Sequence, residues 1–406
     1  MAKSKEAVII GVLGALTALG PFSVDFYLPA FGFIAHDLNT SQPTISLTLS
    51  SFFTGMSIGT LLYGPLLDRY GRKPPLLAGL AFYALASLAC AWSKSVEALI
   101  IFRFFQAIGT CAASVASATL VRDLFPANET STVFSWTMLI LGASPLFAPA
   151  LGGLVSSALG WRYVFVILAV FAVLIAVAVS LCIPRVSAST TLHSLDLRKI
   201  FRVYTAIFIN RQFRNSALCG AAAFAGLFTY ISNSPFVFLE LYRFTPGQFS
   251  LVFSFLACGL ILLTQINRLL LKKSAPESLL RIALLFQIIV SAGSLVFVLQ
   301  QNVSVIAVVA IFFLYQSALG MVFPNVTAIC LSNATSDTGT ASALLQTLQM
   351  LAAGLIIFMT SWLQSSSFLP VCFLFLLCSL SAYLFFYKSS LMEKPVPRKL
   401  KMKQMV

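Results

Sequence analysis

Runs of uncharged, mostly apolar residues recur from end to end of the chain, separated by charges and by clusters of Pro, Gly and Asn. A bilayer core of about 30 Å is crossed by about 20 helical residues, so runs of this length read as membrane spans. Breaking the pattern at its interruptions predicts twelve of them: 7–34, 43–67, 75–93, 96–121, 131–159 and 162–183, then 213–239, 246–267, 278–299, 303–331, 338–363 and 367–387. One long polar segment, Pro184 to Arg214, divides them six and six. The expected organisation is an N-terminal six-helix half (1–184), a cytoplasmic linker (185–212), a C-terminal six-helix half (213–388) and a basic cytoplasmic tail (389–406). Because twelve is even, both ends of the chain fall on one side of the membrane.

Composition removes the soluble alternatives. Of 406 residues 59 % are hydrophobic and 9 % charged, where a soluble domain carries about 25 % charged residues. The net charge of +14 would suggest nucleic acid on a soluble protein; here the cations sit in short loops, where they act as topology signals beside anionic lipid. No nucleic-acid partner is expected. With the termini inside, the inner segments hold 22 Lys and Arg: Lys3, Lys5, Arg69, Arg72, Lys73, Arg122, Arg185, Arg198, Lys199, Arg202, Arg211, Arg214, Arg268, Lys272, Lys273, Arg281, Lys388, Lys394, Arg398, Lys399, Lys401 and Lys403. The outer loops hold three, Lys94, Arg162 and Arg243, and Arg103 lies within a span. A miscounted span would scramble that asymmetry, so both termini are expected to be cytoplasmic. Lys3 and Lys5 before an apolar run imitate a signal peptide, but Asp25, Pro21 and Pro29 stand where a cleavage site would need small residues, so the first span is expected to be uncleaved. The eight cysteines, without CxxC spacing or a His cluster, read as small core residues.

Ionisable residues at bilayer depth cost about 2.5 to 3.5 kcal/mol on insertion scales and mark function. Asp25 and Arg103 qualify. At 1.5 Å per residue, Asp25 lies roughly 15 Å before the outer end of its span and Arg103 roughly 9 Å inside the fourth, depths that suit one cavity. A carboxyl there can change its proton occupancy with access or substrate, which is what proton coupling requires; a static pair fixing helix register is the alternative. The loop GPLLDRYGRKP, Gly64 to Pro74, needs Gly71 for a tight turn, and Asp68 four residues before Arg72 supplies contacts that can break and re-form. The fifth predicted span carries LGASPLFAPALGG, Leu141 to Gly153, whose Pro145, Pro149, Gly152 and Gly153 favour a bent, closely packed helix suited to gating. Tyr27, Gln106, Tyr230, Asn233, Gln316 and Asn325 are candidate substrate-binding residues facing a central cavity, with 37 Phe available for adaptable apolar walls.

GPLLDRYGRKP resembles the signature loop of the major facilitator superfamily, and RFFQAIGTCAASVASATLVRDL (Arg103 to Leu124) resembles the fourth-span motif of its drug:proton antiporters. LGASPLFAPALGG is similar to the fifth-span antiporter motif, with Ala148 before Pro149 where many members have Gly. PFSVDFYLPA (Pro21 to Ala30), FPNVTAICLS (Phe323 to Ser332) and TGTASALLQTLQ (Thr338 to Gln349) resemble the Bcr/CflA multidrug efflux branch. The resemblance spans about residues 10 to 390. It implies an all-α polytopic fold of twelve transmembrane helices in two six-helix halves, with Asp25 as proton carrier and Arg103 as its coupling partner. It further implies that Asp68 meets the eleventh span near Asp337 and Gly339, and that Asp123 pairs with Arg72. Asp25 is the one acid clearly inside a span, so a mechanism needing two membrane carboxylates would lack its second.

The expected function is therefore proton-coupled antiport exporting drugs or amphipathic small molecules across a bacterial cytoplasmic membrane, by a monomer whose partners are cargo, protons and lipid. A dedicated exporter or facilitator of one metabolite is the alternative. A transport-dead sensor is disfavoured by Asp25 and Arg103. No enzyme activity, cofactor or metal is expected, since neither His36 nor His193 has a nucleophile or metal constellation around it.

Overall fold

The computed structural model describes residues 3–184, 197–299, 304–332, 338–363 and 368–391. Among them there is no strand, and twelve helical stretches are long and apolar enough to cross a membrane. The chain is a multi-pass membrane protein. The first stretch is discontinuous: α1 (Lys3–Asp25) ends at the acid, Leu28–Ala30 form a single 3-10 turn, and α2 (Phe31–Asp37) completes the crossing. Pro29 has no N–H to continue the ladder, which ends regular helix there. The segment beyond the break is held at its tip, where Arg162 bonds Asp37 at 2.7 Å and the Trp161 indole donates to the same carboxylate at 3.1 Å.

The remaining elements follow as α3 (Gln42–Tyr70), α4 (Lys73–Ala91), α5 (Val96–Leu124), α6 (Ala127–Ala158), α7 (Arg162–Cys182), α8 (Leu197–Ile209), α9 (Arg211–Pro235), α10 (Pro246–Leu270), α11 (Pro276–Val298), α12 (Val305–Ser332), α13 (Thr338–Trp362) and α14 (Leu369–Ser390). Their starts carry cap chemistry: Ser41, Ser95 and Asn210 accept from backbone N–H groups of α3, α5 and α9, and Thr245 with Gln248 makes a capping box on α10. α9 ends in Pro235 and passes into one wide π-helical turn, Phe236–Leu241. α6 stays helical through both Pro145 and Pro149.

Packing repeats between two sets of six. The pairs α1·α6, α3·α5, α4·α5 and α4·α7 of the first set recur as α9·α13, α10·α12, α11·α12 and α11·α14 of the second. The sets meet through α3 on α13 and α6 on α10, pairs related by the same correspondence. That seam lies toward the end of the molecule opposite α8, the far end. There Ser46 and Ser50 of α3 donate to the carbonyls of Ser232 and Gly354 at 3.4 and 2.7 Å, Ser254 donates to Leu146 O at 2.9 Å, and the Phe53 and Phe228 rings lie 4.2 Å apart. These contacts all lie away from the α8 end.

The segment between the sets holds a helix as well as polar chain. Tyr204, Ile207 and Phe208 of α8 share one face and pack on Phe213, Ala217, Cys330, Leu344 and Leu345 of the second set. Spacing of three and four residues gives a half-covered helix its apolar stripe, and this one is too short to span a membrane. Most of the cysteines are buried, but Cys258 is exposed on α10, a correction to its reading as a core residue. Facing hydrocarbon exacts no desolvation penalty from a small apolar side chain.

Candidate functional site

Asp25 ends α1 immediately before the break and is 5 % exposed. Its Oδ2 accepts from the Ser144 hydroxyl of α6 at 3.4 Å, a long bond. From the second set, Tyr230 of α9 stands within electrostatic reach of the same carboxyl. The Tyr230 hydroxyl is buried and has no hydrogen-bond partner. Its ring is fixed by stacking on Phe253, 5.6 Å between centroids, and by an edge contact with Phe312 at 5.0 Å. Carboxyl, serine and phenol thus come from three helices and converge where the two sets meet.

Arg103 sits elsewhere. It is wholly buried within the first set, where Nη1 donates to Gln106 Oε1 at 2.6 Å and to the Ser23 carbonyl at 3.3 Å. Its guanidinium carbon lies 4.2, 4.7 and 5.8 Å from the ring centres of Phe52, Tyr27 and Phe165, so the charge is surrounded by aromatic faces. Nε and Nη2 have no hydrogen-bond acceptor. No ion pair joins Asp25 to Arg103. The reason is helical phase: Ser23 and Asp25 are two residues apart, and at 100° per residue they face opposite ways, one toward α4 and α5, the other toward α6 and α9. Gln106 is committed to this same network, its Nε2 donating to Ser87 at 2.7 Å, and Tyr27 bonds Thr48 at 2.9 Å. Both were expected on the cavity wall and are instead inside the first set.

The other candidates divide. Asn325 of α12 is 1 % exposed and donates to Asn267 Oδ1 at 2.7 Å and to Met321 O at 2.8 Å, so it too is internal to its own set. Asn233 donates to Thr229 O at 2.7 Å and lines a crevice at the far end with Ser46, Ser232, Thr360 and Ser361, away from any central site. Gln316 is buried with Oε1 unpartnered. Of the six, Tyr230 is the one from the second set that interacts electrostatically with Asp25. Sequence reasoning passed over Ser144, although it stands directly before Pro145 in the motif; the missing signal is that a serine on α6 would face α1.

At the α8 end, Arg72 bridges two acids, meeting Asp68 at 2.5 Å and Asp123 at 2.8 Å. Burial alone would lower the pKa of Arg72, but the bonds to Asp123 and Asp68 outweigh it and raise it. Gly71 takes φ 79°, the turn conformation that a side chain would strain. Lys73 closes the corner by donating to the carbonyls of Ser180 and Ile183 at 2.8 and 2.7 Å, at the end of α7. Gly64 faces open space. Asp337 lies outside the described residues. Asp68 is 45 % exposed, so the Asp68–Arg72 pair alone is worth about 0.2 to 1 kcal/mol, less than a fully buried pair would be. On α6, Gly152 lies directly against the Phe26 backbone at the break in the first span, and Gly153 faces Pro246 and Ser250 of α10.

Two six-helix sets related by an internal repeat, an interrupted span beside a lone carboxyl, and polar groups converging at the seam are features of secondary transporters. The chain belongs to the Major Facilitator Superfamily, whose family profile matches residues 13–357. It is 30 % identical over 351 residues to the MFS-type transporter YdgK of Bacillus subtilis, covering 85 % of this chain and 86 % of that one. It is 32 % identical over 280 residues to a bicyclomycin resistance protein homolog of Haemophilus influenzae, covering 69 % and 70 %. The fold matches that of the E. coli xylose transporter XylE in a partially occluded inward-open conformation with a TM-score of 0.73 at 15 % identity, over 95 % of this chain and 98 % of that one. This protein is a transporter and not an enzyme.

Proposed function

We propose that this transporter is a proton-coupled antiporter exporting drugs or other amphipathic small molecules across the bacterial cytoplasmic membrane. The observation that carries the reading is Asp25: a carboxyl with no cationic partner among the described residues, at a helix break, against the seam on which alternating access turns. A group so placed can exchange its proton with either side as the halves rock, and cargo entering beside it alters the balance between its charged and neutral forms. Similarity to a bicyclomycin resistance protein homolog supports export of drug-like cargo. The charge asymmetry supports cytoplasmic termini, which would make the far end the outer face.

Asp68, Arg72 and Asp123, with Gly71 at the turn, would form the inner gate, and Pro145, Pro149, Gly152 and Gly153 would be the packed hinge of α6. Cells expressing the wild type should survive bicyclomycin better than cells expressing Asp25→Asn. In proteoliposomes, an imposed pH gradient should drive bicyclomycin movement by the wild type alone. Gradient-driven transport by Asp25→Asn would place the coupling group elsewhere.

A further inference from the structure

We infer that the Tyr230 hydroxyl is the second half's hydrogen-bond donor to Asp25, so that proton loss from Asp25 draws α9 onto the break in the first span. This rests on the antiport reading above and adds the group through which protonation reaches the other half of the molecule. Three observations meet here. The Tyr230 hydroxyl is buried without a partner, and a buried unpaired hydroxyl is unfavourable enough to need a purpose. The Asp25 carboxyl has one long bond, from Ser144, and so lacks the two or three donors that a buried carboxylate needs. The two groups belong to opposite halves and stand within electrostatic reach of each other, and the 3-10 turn after Asp25 touches both α9 and α10.

Charged and titratable neighbours leave Tyr230 without a rival. On α5, Arg103 is turned toward Phe52, Tyr27 and the Ser23 carbonyl. Tyr83 of α4 bonds Ser23 at 2.6 Å and Tyr27 bonds Thr48, so both hydroxyls are taken. α6 carries one ionisable residue, Glu129, in its first turn. On α7, Arg162, Tyr163 and Cys182 lie at the two ends, and α10 offers Cys258, which is exposed, and Arg268 in its last turn. When Asp25 is ionised, a small closure of the seam lets the phenol donate to it. When Asp25 carries a proton, that attraction weakens and α9 is released from α1. Protonation is thereby converted into a preference for one arrangement of the halves.

Tyr230→Phe keeps the ring between Phe253 and Phe312 and removes only the hydroxyl. The test uses the full-length protein in detergent and needs no cargo: a hydrophobic carbodiimide, which modifies protonated carboxyl groups, is added across a pH series and labelling of Asp25 is followed by mass spectrometry. Loss of the donor should move the labelling midpoint of Tyr230→Phe about one unit to higher pH, a tenfold change in proton affinity, with melting temperature unchanged. Ser144→Ala with Tyr230→Phe should move it further. If the wild type labels without pH dependence, the coupling reading itself fails. If the wild type titrates and Tyr230→Phe titrates identically, the present inference alone is overturned. It is also overturned if bicyclomycin affinity falls while the midpoint stays, because the hydroxyl is then a cargo ligand. Should Tyr230→Phe not fold, infrared difference spectra of the wild type between high and low pH serve instead. A phenol C–O band that shifts with the Asp25 midpoint and is lost in Asp25→Asn supports the assignment, and no such band refutes it.

Discussion

Arg103 shows how a buried cation can be held without an anion. Its hydrogen bonds run to a carbonyl and an amide, and the rest of the guanidinium meets rings. A buried charge normally needs a paired carboxylate; three aromatic faces supply part of that stabilisation here. It follows that Arg103 holds α5 against α1, α3 and α7. Arg103→Ala leaves a cavity and strands the Gln106 and Ser23 acceptors, so it should destabilise the fold by roughly 3 kcal/mol. Arg103→Lys keeps a charge but loses the planar fork, and should fall between. Thermal melting of the purified variants checks the order, and an Arg103→Ala protein that melts with the wild type would show that the cage contributes nothing.

At the scale of elements, the interrupted first span and α6 form one unit. The break exposes backbone around Phe26, and α6 approaches it closely because position 152 has no side chain. One residue further on, an added methyl group at Gly153 would stand 3.5 Å from Pro246 and Ser250, ordinary contact. The two glycines therefore predict opposite outcomes. Gly152→Ala forces α6 away from the break and should lower transport by tenfold or more, on the order of 1.4 kcal/mol or greater, whereas Gly153→Ala should retain near wild-type rates. Initial rates of bicyclomycin movement in proteoliposomes, normalised to protein inserted, measure both; equal effects would remove the special role of the Phe26 contact.

For the whole molecule, the bonds between the halves described above gather at the far end. Ser46 and Ser232, one from each half, meet there. With Cys258 and Cys182 replaced to silence the less buried native thiols, cysteines at 46 and 232 should be joined by a membrane-impermeant bifunctional thiol reagent added outside intact cells. The link should stop turnover, since the halves must part at that end for the other to close. Cross-linking from outside also reports which face is external. Reaction only after the cells are opened would reverse the orientation inferred from the 22 to 3 distribution of Lys and Arg.

What the sequence determined by itself is the fold and the number of membrane spans. Hydrocarbon accepts only helices whose backbone bonds are closed within each span, so apolar run length counts the spans directly, and the count of twelve held. Asp25 and the Asp68–Arg72 contact were legible because charge is rare at depth and a four-residue spacing brings the loop pair together; the Arg72 contact with Asp123, from a different helix, was implied only by the family resemblance. Other features needed the tertiary structure. α8 was hidden in a polar segment because its apolar stripe is short and finds its partners across α9, α12 and α13. The separation of Asp25 from Arg103 depends on helical phase at a break, and depth along a span carries no information about which way a side chain faces. Gln106, Tyr27 and Tyr230 look alike as polar residues in apolar runs, yet only packing decides whether such a group is satisfied inside its own bundle or, like Tyr230, left unpaired where two bundles meet.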